Sequence, residues 1–450
     1  MKKLSKILLQ FALVFILSVS ACTVVFAEEE TSQEEASEET SSDESSSEDL
    51  VWPEAPEIYS GSALVIDTVT GATLFSQDED EKIYPASTTK LLTAILALEN
   101  CSLDEIVTFS ETAVDLESGA SSIDAVAGEE MTLEDVLYGL LLPSGNDCAN
   151  AIAEHVAGSI DAFAEMMNEK AQELGCTSSH FTNPSGLHDS DHYTTASDMY
   201  LIAKEAFSNS TIQEIISCAS YTIAATNMSD ERTVSNSDSL IQTDSAYYNS
   251  TVVGGKTGYT SSAGRALVIL SQSDNMNLIC LFFNCPYYTG VFSDANTLLD
   301  YVYNNFSIIN ISESEERFSS SFPDAKIVLD TTASILIPSS ISLSDLTSTL
   351  TFATDMDAEE FEEAKLAAGV TTQDGRHLYA VIDYYFDGNY LGNIYVIVDD
   401  TLEIAQASVS DVIYIDMVYA IPAMILAVII MITVILIGSS RRKKFTRKSR

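Results

Sequence analysis

Apolar and polar positions along the chain follow two periods. Ser62 to Gln77, "SALVIDTVTGATLFSQ", reads as two short apolar strands joined by a turn at Asp67–Gly71. From Leu103 to about Phe207 the apolar positions recur mostly at helical spacing, in "TLEDVLYGLLL", "NDCANAIAEHVAG", "IDAFAEMMNEKAQELG" and "TASDMYLIAKEAF". Several of these segments open on a Ser, Thr or Asp suited to a helix cap. Strand patterns return at Ser220–Ala225 and at Gly264–Cys285, "GRALVILSQSDNMNLICLFFNC", a hairpin turning at Ser273–Asn275. A helix follows over roughly Phe292–Asn304. Strands thus flank a helical middle, which predicts an α/β (α+β) unit: one antiparallel sheet drawn from both ends, with a helical subdomain inserted. From about Phe306 to Asp400 the segments "KIVLDTTASILIP", "TSTLTFATD", "HLYAVIDYYFDG" and "YLGNIYVIVDD" predict a small all-β domain without convergent chemistry.

The ends carry different patterns. Three Lys before a long apolar run, with Val25-Phe26-Ala27 at its close, predict a signal peptide over 1–27. "VSAC" at Val19–Cys22 also resembles a lipoprotein cleavage box, but the residues after Cys22 remain apolar, which favours cleavage after Ala27. Residues 28–53 are mostly acidic and polar, too poor in apolar groups to offset chain entropy, and predict a disordered linker. Residues 413–437 are long and apolar enough to cross a bilayer, which takes about 20 such residues, and "RRKKFTRKSR" follows. Positive residues stay on the cytoplasmic side. The expected topology is therefore a single-pass protein of a bacterial cell membrane. Its body, a catalytic unit at 54–306 and a β domain at 307–402, lies outside, and a basic tail at 438–450 lies inside.

Charge narrows the partners. A formal net charge of -46 makes nucleic acid an unsuitable partner, because no basic patch offsets it. Of seven Cys, six remain after the leader is removed. None shows a metal-binding spacing, so neither metal nor cofactor is expected. Cys280 and Cys285 are placed to face each other across the second hairpin, without a disulfide being implied.

Three short motifs carry candidate chemistry. In "YPASTTKLLTAILAL", Ser87 and Lys90 share a helix face, so Lys90 can act as base to a Ser87 nucleophile if desolvation or a nearby cation lowers its pKa. In "LLLPSGNDCANAIA", Ser144 can relay a proton, and the Asn146 amide can hold a substrate carbonyl and a neighbouring Lys. In "GGKTGYTSSAGRALV", Lys256 offers a cation and Thr257 a hydroxyl to a substrate carboxylate, and Gly258 leaves room for an extended substrate. Each motif alone is weak. Ser440-x-x-Lys443 and Ser273-Asp274-Asn275 match by chance. Their occurrence in one order, on a helix start, a loop and a strand entry, is specific.

With "HFTNPSGLHDSDHYTTASDMYLIA", these segments resemble the serine-type D-alanyl-D-alanine carboxypeptidases among the low-molecular-weight penicillin-binding proteins. The resemblance covers about Ile58–Phe306. It implies a peptidoglycan stem peptide as substrate, with Ser87 acylated, Lys90 taking its proton, Ser144 passing a proton to the leaving amine and Asn146 holding the substrate amide. Lys256 and Thr257 would bind the terminal carboxylate, and the backbone N–H groups of Ser87 and Tyr259 would form the oxyanion hole. β-Lactams would act as covalent inhibitors. Some relatives carry an Arg after the second hairpin that assists with the carboxylate, and "FNCPYYTG" has none. A class A β-lactamase would need a Glu-x-x-Leu-Asn loop, and the nearest text, "EMMNEK", falls in a helical pattern. A transpeptidase or endopeptidase shares the triple. A catalytically silent wall-binding protein is disfavoured by intact Ser87, Lys90 and Lys256.

Overall fold

The computed structural model describes residues 51–273, 276–311, 327–329, 333–370 and 376–399. The expected leader, most of the acidic linker, the 413–437 span and the basic tail lie outside them. Among the described residues, no helix is long and apolar enough to cross a membrane.

The centre is a five-stranded antiparallel sheet. Strands β1 (Ser62–Asp67) and β2 (Thr73–Gln77) come from the N-terminal side. They are followed by α1 (Lys90–Asn100), β3 (Ile106–Thr108), α2 (Glu111–Val114), β4 (Glu130–Thr132), α3 (Leu133–Leu141), α4 (Asn146–Ala157), α5 (Ile160–Glu173), α6 (Ala196–Ser208) and α7 (Ser210–Ser217). A small pair, β5 (Ser220–Ile223) and β6 (Arg232–Ser235), precedes β7 (Val252–Thr260), β8 (Gly264–Ser273) and β9 (Met276–Cys285), and α8 (Gly290–Asn305) closes the unit. The sheet order is β2-β1-β9-β8-β7, so sequence-distant β1 and β9 pair at its centre and β7 forms an edge. A chain that must join both ends of its sequence in one sheet leaves the intervening helices as a lobe on one face.

Alternation along the strands assigns each face its core. Ala266, Val268 and Leu270 of β8, with Ile279, Leu281 and Phe283 of β9, pack into the helical lobe. Leu267 and Ile269, with Leu278, Cys280 and Phe282, pack on α8. Both faces being covered accounts for the near-continuous apolar runs of β8 and β9. Caps define the lobe's helices: Thr132 Oγ1 accepts from Asp135 N, Ser159 Oγ from Ala162 N and Thr195 Oγ1 from Asp198 N. Cys280 and Cys285 both sit on β9 rather than facing each other across the hairpin, and all six described cysteines are free thiols.

Beyond Phe306 a pair, β10 (Phe306–Asn310) with β12 (Ser334–Pro338), accompanies a four-stranded sheet ordered β11 (Ile327–Leu329), β15 (Asn389–Asp399), β14 (Arg376–Phe386) and β13 (Thr347–Phe352). This region is not all-β. Helix α9 (Ala358–Ala367) lies within it, opened by a capping box in which Asp357 accepts from Glu360 N and the Glu360 carboxylate accepts from Asp357 N.

Candidate active site

The Ser87 turn is held in an unusual conformation. Ser87 lies in a 3-10 turn, Ala86–Thr89, that runs directly into α1, rather than in the α-helix proper. Ala86 has φ +49, a left-handed value that L-residues seldom adopt. Two glycines make room for it. A Cβ on Gly186 would stand 1.8 Å from the Ala86 carbonyl oxygen, and one on Gly258 would stand 3.1 Å from Ser87 N. Gly258 is thus required by the close approach of β7 to this turn, a reason distinct from the passage of an extended substrate.

Lys90 is fully buried at the start of α1. Its Nζ lies 3.0 Å from Ser87 Oγ, 2.7 Å from Asn146 Oδ1 and 2.7 Å from the Ser185 carbonyl oxygen. Burial pushes its pKa well below the usual lysine value, and the Lys256 charge adds to this, against weaker opposing effects of Cys148 and Asp147. The partner set suits a neutral amine. Asn146 Oδ1 and the Ser185 carbonyl can only accept, so they take both N–H groups of an –NH₂, and its lone pair is left for the Ser87 hydroxyl.

The groups that hold these partners are themselves fixed. Ser185 belongs to a loop organised by Asn183, whose Oδ1 accepts from Ser185 N, Ser185 Oγ and Gly186 N. Thr93 of α1 ties this loop down by donating to the Pro184 carbonyl. His192 Nδ1 accepts from Thr182 N, so its Nε2–H faces Thr89 Oγ1 at 2.9 Å. Burial lowers His192 to about 4, which keeps it neutral. Asn146 is the first residue of α4, and its N–H donates to the Ser121 carbonyl. The adjacent Asp147 carboxylate accepts from the N–H groups of Ile123, Ala125 and Cys148, which locks the 121–125 segment onto the start of α4. Ser144 has φ +70, and its buried Oγ finds no hydrogen-bond partner among the described residues. Strain and an unsatisfied hydroxyl at one position are a feature of functional sites.

The third motif divides. Thr257, Gly258 and Tyr259 line a cleft of about 390 Å³ together with Ser87, Ser144 and Asn146. Thr257 Oγ1 is 2.6 Å from Ser237 Oγ, also in the wall. Lys256 does not line the cleft. It is fully buried on the face of β7 that it shares with Gly258, donates to the Thr257 carbonyl and is lowered to about 7 by burial, against the raising effect of Asp238. The cation in the cleft wall is Arg265. The register pairs Arg265 with Tyr259 across β7 and β8, and its guanidinium stacks between the rings of Tyr259 and Tyr288 at 4.1 and 4.2 Å. Among the described residues no carboxylate forms an ion pair with it.

Ser185, Asp147, Ser237 and Arg265 are the positions that motif reading passes over. Ser185 contributes a backbone oxygen, which has no residue-type signature. Arg265 becomes visible only through strand register.

A nucleophile-ready Ser beside a buried amine, at the seam of an antiparallel sheet and a helical lobe, defines the acyl-transferring serine enzymes of the penicillin-binding class. The family profile described as D-alanyl-D-alanine carboxypeptidase, peptidase S11, matches residues 50–286, a little over half of the chain, and the chain belongs to that family. The chain is 32% identical over 251 residues to D-alanyl-D-alanine carboxypeptidase DacF of Bacillus subtilis, a match over 54% of this chain and 62% of that protein. It is 34% identical over 207 residues to D-alanyl-D-alanine carboxypeptidase DacB2 of Mycobacterium tuberculosis, a match over 46% of this chain and 68% of the relative. Among solved structures, the Streptomyces K15 DD-transpeptidase superposes with a TM-score of 0.52 at 28% identity, covering 56% of this chain and 100% of that one. The match thus spans less than two thirds of the Bacillus relative's length, and the family match ends at residue 286, before the C-terminal strands.

Proposed function

We propose that the chain is a serine-type D-Ala-D-Ala carboxypeptidase that removes the terminal D-alanine from peptidoglycan stem pentapeptides and is acylated by β-lactams. The observation that carries this reading is the Lys90 amine, with both N–H groups engaged by acceptors and its third direction facing Ser87 Oγ at 3.0 Å. Ser87 Oγ attacks the carbonyl carbon of the penultimate D-Ala as its proton passes to Lys90 Nζ. The oxyanion is held by the N–H groups of Ser87 and Tyr259, and β7 as an edge strand offers main-chain groups to an extended substrate. The peptide C–N bond then breaks. The leaving amine takes a proton through Ser144, whose hydroxyl has no competing partner among the described residues, while Asn146 holds the substrate amide. Water next attacks the acyl-enzyme and gives up its proton to Lys90, which passes it to Ser87 Oγ as the ester bond breaks and the shortened peptide leaves.

Carboxylate binding is divided in this reading. Thr257, Ser237 and the Arg265 guanidinium contact the terminal carboxylate. Lys256, buried on the face of β7 that meets the Ser87 turn, acts through its charge. Arg265 thereby supplies the cation that "FNCPYYTG" lacks.

We place the catalytic unit at 54–306 outside the membrane, a separate C-terminal domain at 307–402, and an anchor at 413–437. The support is the apolar run followed by a basic tail. Stopping the chain near Asp411 is expected to give a soluble, penicillin-reactive protein. A truncated protein that still pellets with membranes would contradict this placement. The activity itself is tested by intact mass measurement after exposure to penicillin, with D-alanine release from a stem pentapeptide measured in parallel. One adduct on the wild type and none on Ser87→Ala is the expected outcome. An adduct on the Ser87→Ala protein, or no D-alanine released by the wild type, refutes the assignment.

A further inference from the structure

A second cluster of chemistry-bearing side chains lies at the opposite end of the two helices that build the site. Helices α1 and α4 both begin at the active site, where Lys90 and Asn146 meet at 2.7 Å. Cys101 caps the far end of α1, with its N–H on the Ala97 carbonyl. His155 lies in the last turn of α4. Between these ends stands Glu105, which accepts from Ser102 N through one carboxylate oxygen and lies 3.3 Å from His155 Nε2 through the other. The Cys101 thiol, the Glu105 carboxylate and the His155 imidazole have ligand atoms that all lie within 4.8 Å of one another.

We propose that Cys101, Glu105 and His155 bind one zinc ion that clamps the C-terminal ends of α1 and α4. A thiolate, an imidazole and a carboxylate together are a donor set that zinc accepts in tetrahedral geometry, with water as the fourth ligand. Zinc bonds of about 2.0–2.3 Å place tetrahedral ligands roughly 3.3–3.8 Å apart. Side-chain rotation at partly exposed residues closes the remaining distance. The place favours a cation independently of the three ligands, because the negative dipole ends of two helices converge there beside a carboxylate. Binding displaces the Cys101 thiol proton to solvent and takes neutral His155 through its Nε2 lone pair, with the ring proton on Nδ1. Three residues lie between Cys101 and Glu105 and forty-nine between Glu105 and His155, so no compact metal-binding spacing exists in the sequence. The ion leaves the reaction unchanged. Its effect is to fix the spacing of two helices whose first residues hold the base and its amide partner.

The test uses the full chain in detergent, stripped with a chelator and titrated with Co²⁺. One equivalent should give a thiolate-to-cobalt charge-transfer band and tetrahedral d–d bands, both removed by Zn²⁺. Saturating zinc should raise the Tm of the wild type by about 3 °C or more. Cys101→Ser and His155→Ala should lose both responses while still being acylated by penicillin, which shows that they are folded. Glu105→Gln, the mildest change, should weaken cobalt binding at least about tenfold. A wild type that reacts with penicillin but retains no cobalt overturns the proposal. So does a Cys101→Ser protein that binds cobalt as the wild type does.

Discussion

The sheet-and-helix unit and the C-terminal strands treat polar groups in opposite ways. Among the described residues, every buried polar or charged side chain lies before Phe306, including Lys90, Ser144, Asn146, Asp147, Asp238 and Lys256. The C-terminal strands bury only apolar and aromatic groups, with Ile335, Ile337, Ile382, Phe386, Leu391 and Ile394 at the centre of their core. Burying an ammonium group is costly unless it is paired or neutral. The first unit buries two lysine amines within reach of each other's field, and it places one hydroxyl in a pocket without a partner among the described residues. A fold tolerates such departures where they serve chemistry. The contrast assigns reactivity to the first unit.

Breaking the contrast at its strongest point means removing the neutral amine while keeping a cation. Lys90→Arg cannot deprotonate. Loss of a general base typically costs about 10²- to 10⁴-fold, and stopped-flow acylation by a fluorescent penicillin should show a loss of that order. Arg265→Gln probes the cleft wall. A hydrogen bond to a charged group contributes roughly 1.5–3 kcal/mol, so kcat/KM toward peptides with a free terminal carboxylate should fall at least about tenfold. The penalty should vanish when that carboxylate is amidated, and a penalty of the same size on both substrates would remove Arg265 from carboxylate binding. The smallest effect on chemistry is expected in the other region. Ile382→Ala should destabilise the C-terminal sheet by about 2–5 kcal/mol, as core truncations do. Denaturant unfolding should report that loss, with the penicillin acylation rate within about twofold of wild type.

The sequence made some features of this arrangement plain and concealed others for identifiable reasons. The long apolar runs of β8 and β9 and the two short N-terminal strands announced a sheet built from both ends, because strands covered on two faces are apolar throughout. The capping box at Asp357 and Glu360 was equally readable, yet the β-rich text on either side of it masked α9. The pairing of Lys90 with Ser87 follows from helical spacing. The Ser185 carbonyl does not, since a backbone oxygen is identified only by the loop that aims it. Lys256 is expected in contact with substrate; in β7 it shares a face with Gly258, toward the Ser87 turn, and is fully buried there, while Thr257 and Tyr259 line the cleft. Arg265 enters the cleft through the Tyr259–Arg265 register, which is a property of the β7–β8 pairing rather than of either segment alone.

The central claim is that Lys90 works as a neutral amine because burial and the Lys256 charge hold its pKa down. A base with a lowered pKa is active above that pKa and loses activity as pH falls through it. Taking away the neighbouring charge raises the pKa, so the acid limb of the rate profile must move to higher pH. The decisive measurement is the second-order rate of penicillin acylation against pH for the wild type and for Lys256→Gln. The account predicts an acid limb displaced toward alkaline pH in the variant, with part of the lost rate recovered as pH is raised. A variant whose acid limb coincides with that of the wild type, only scaled down, would contradict it.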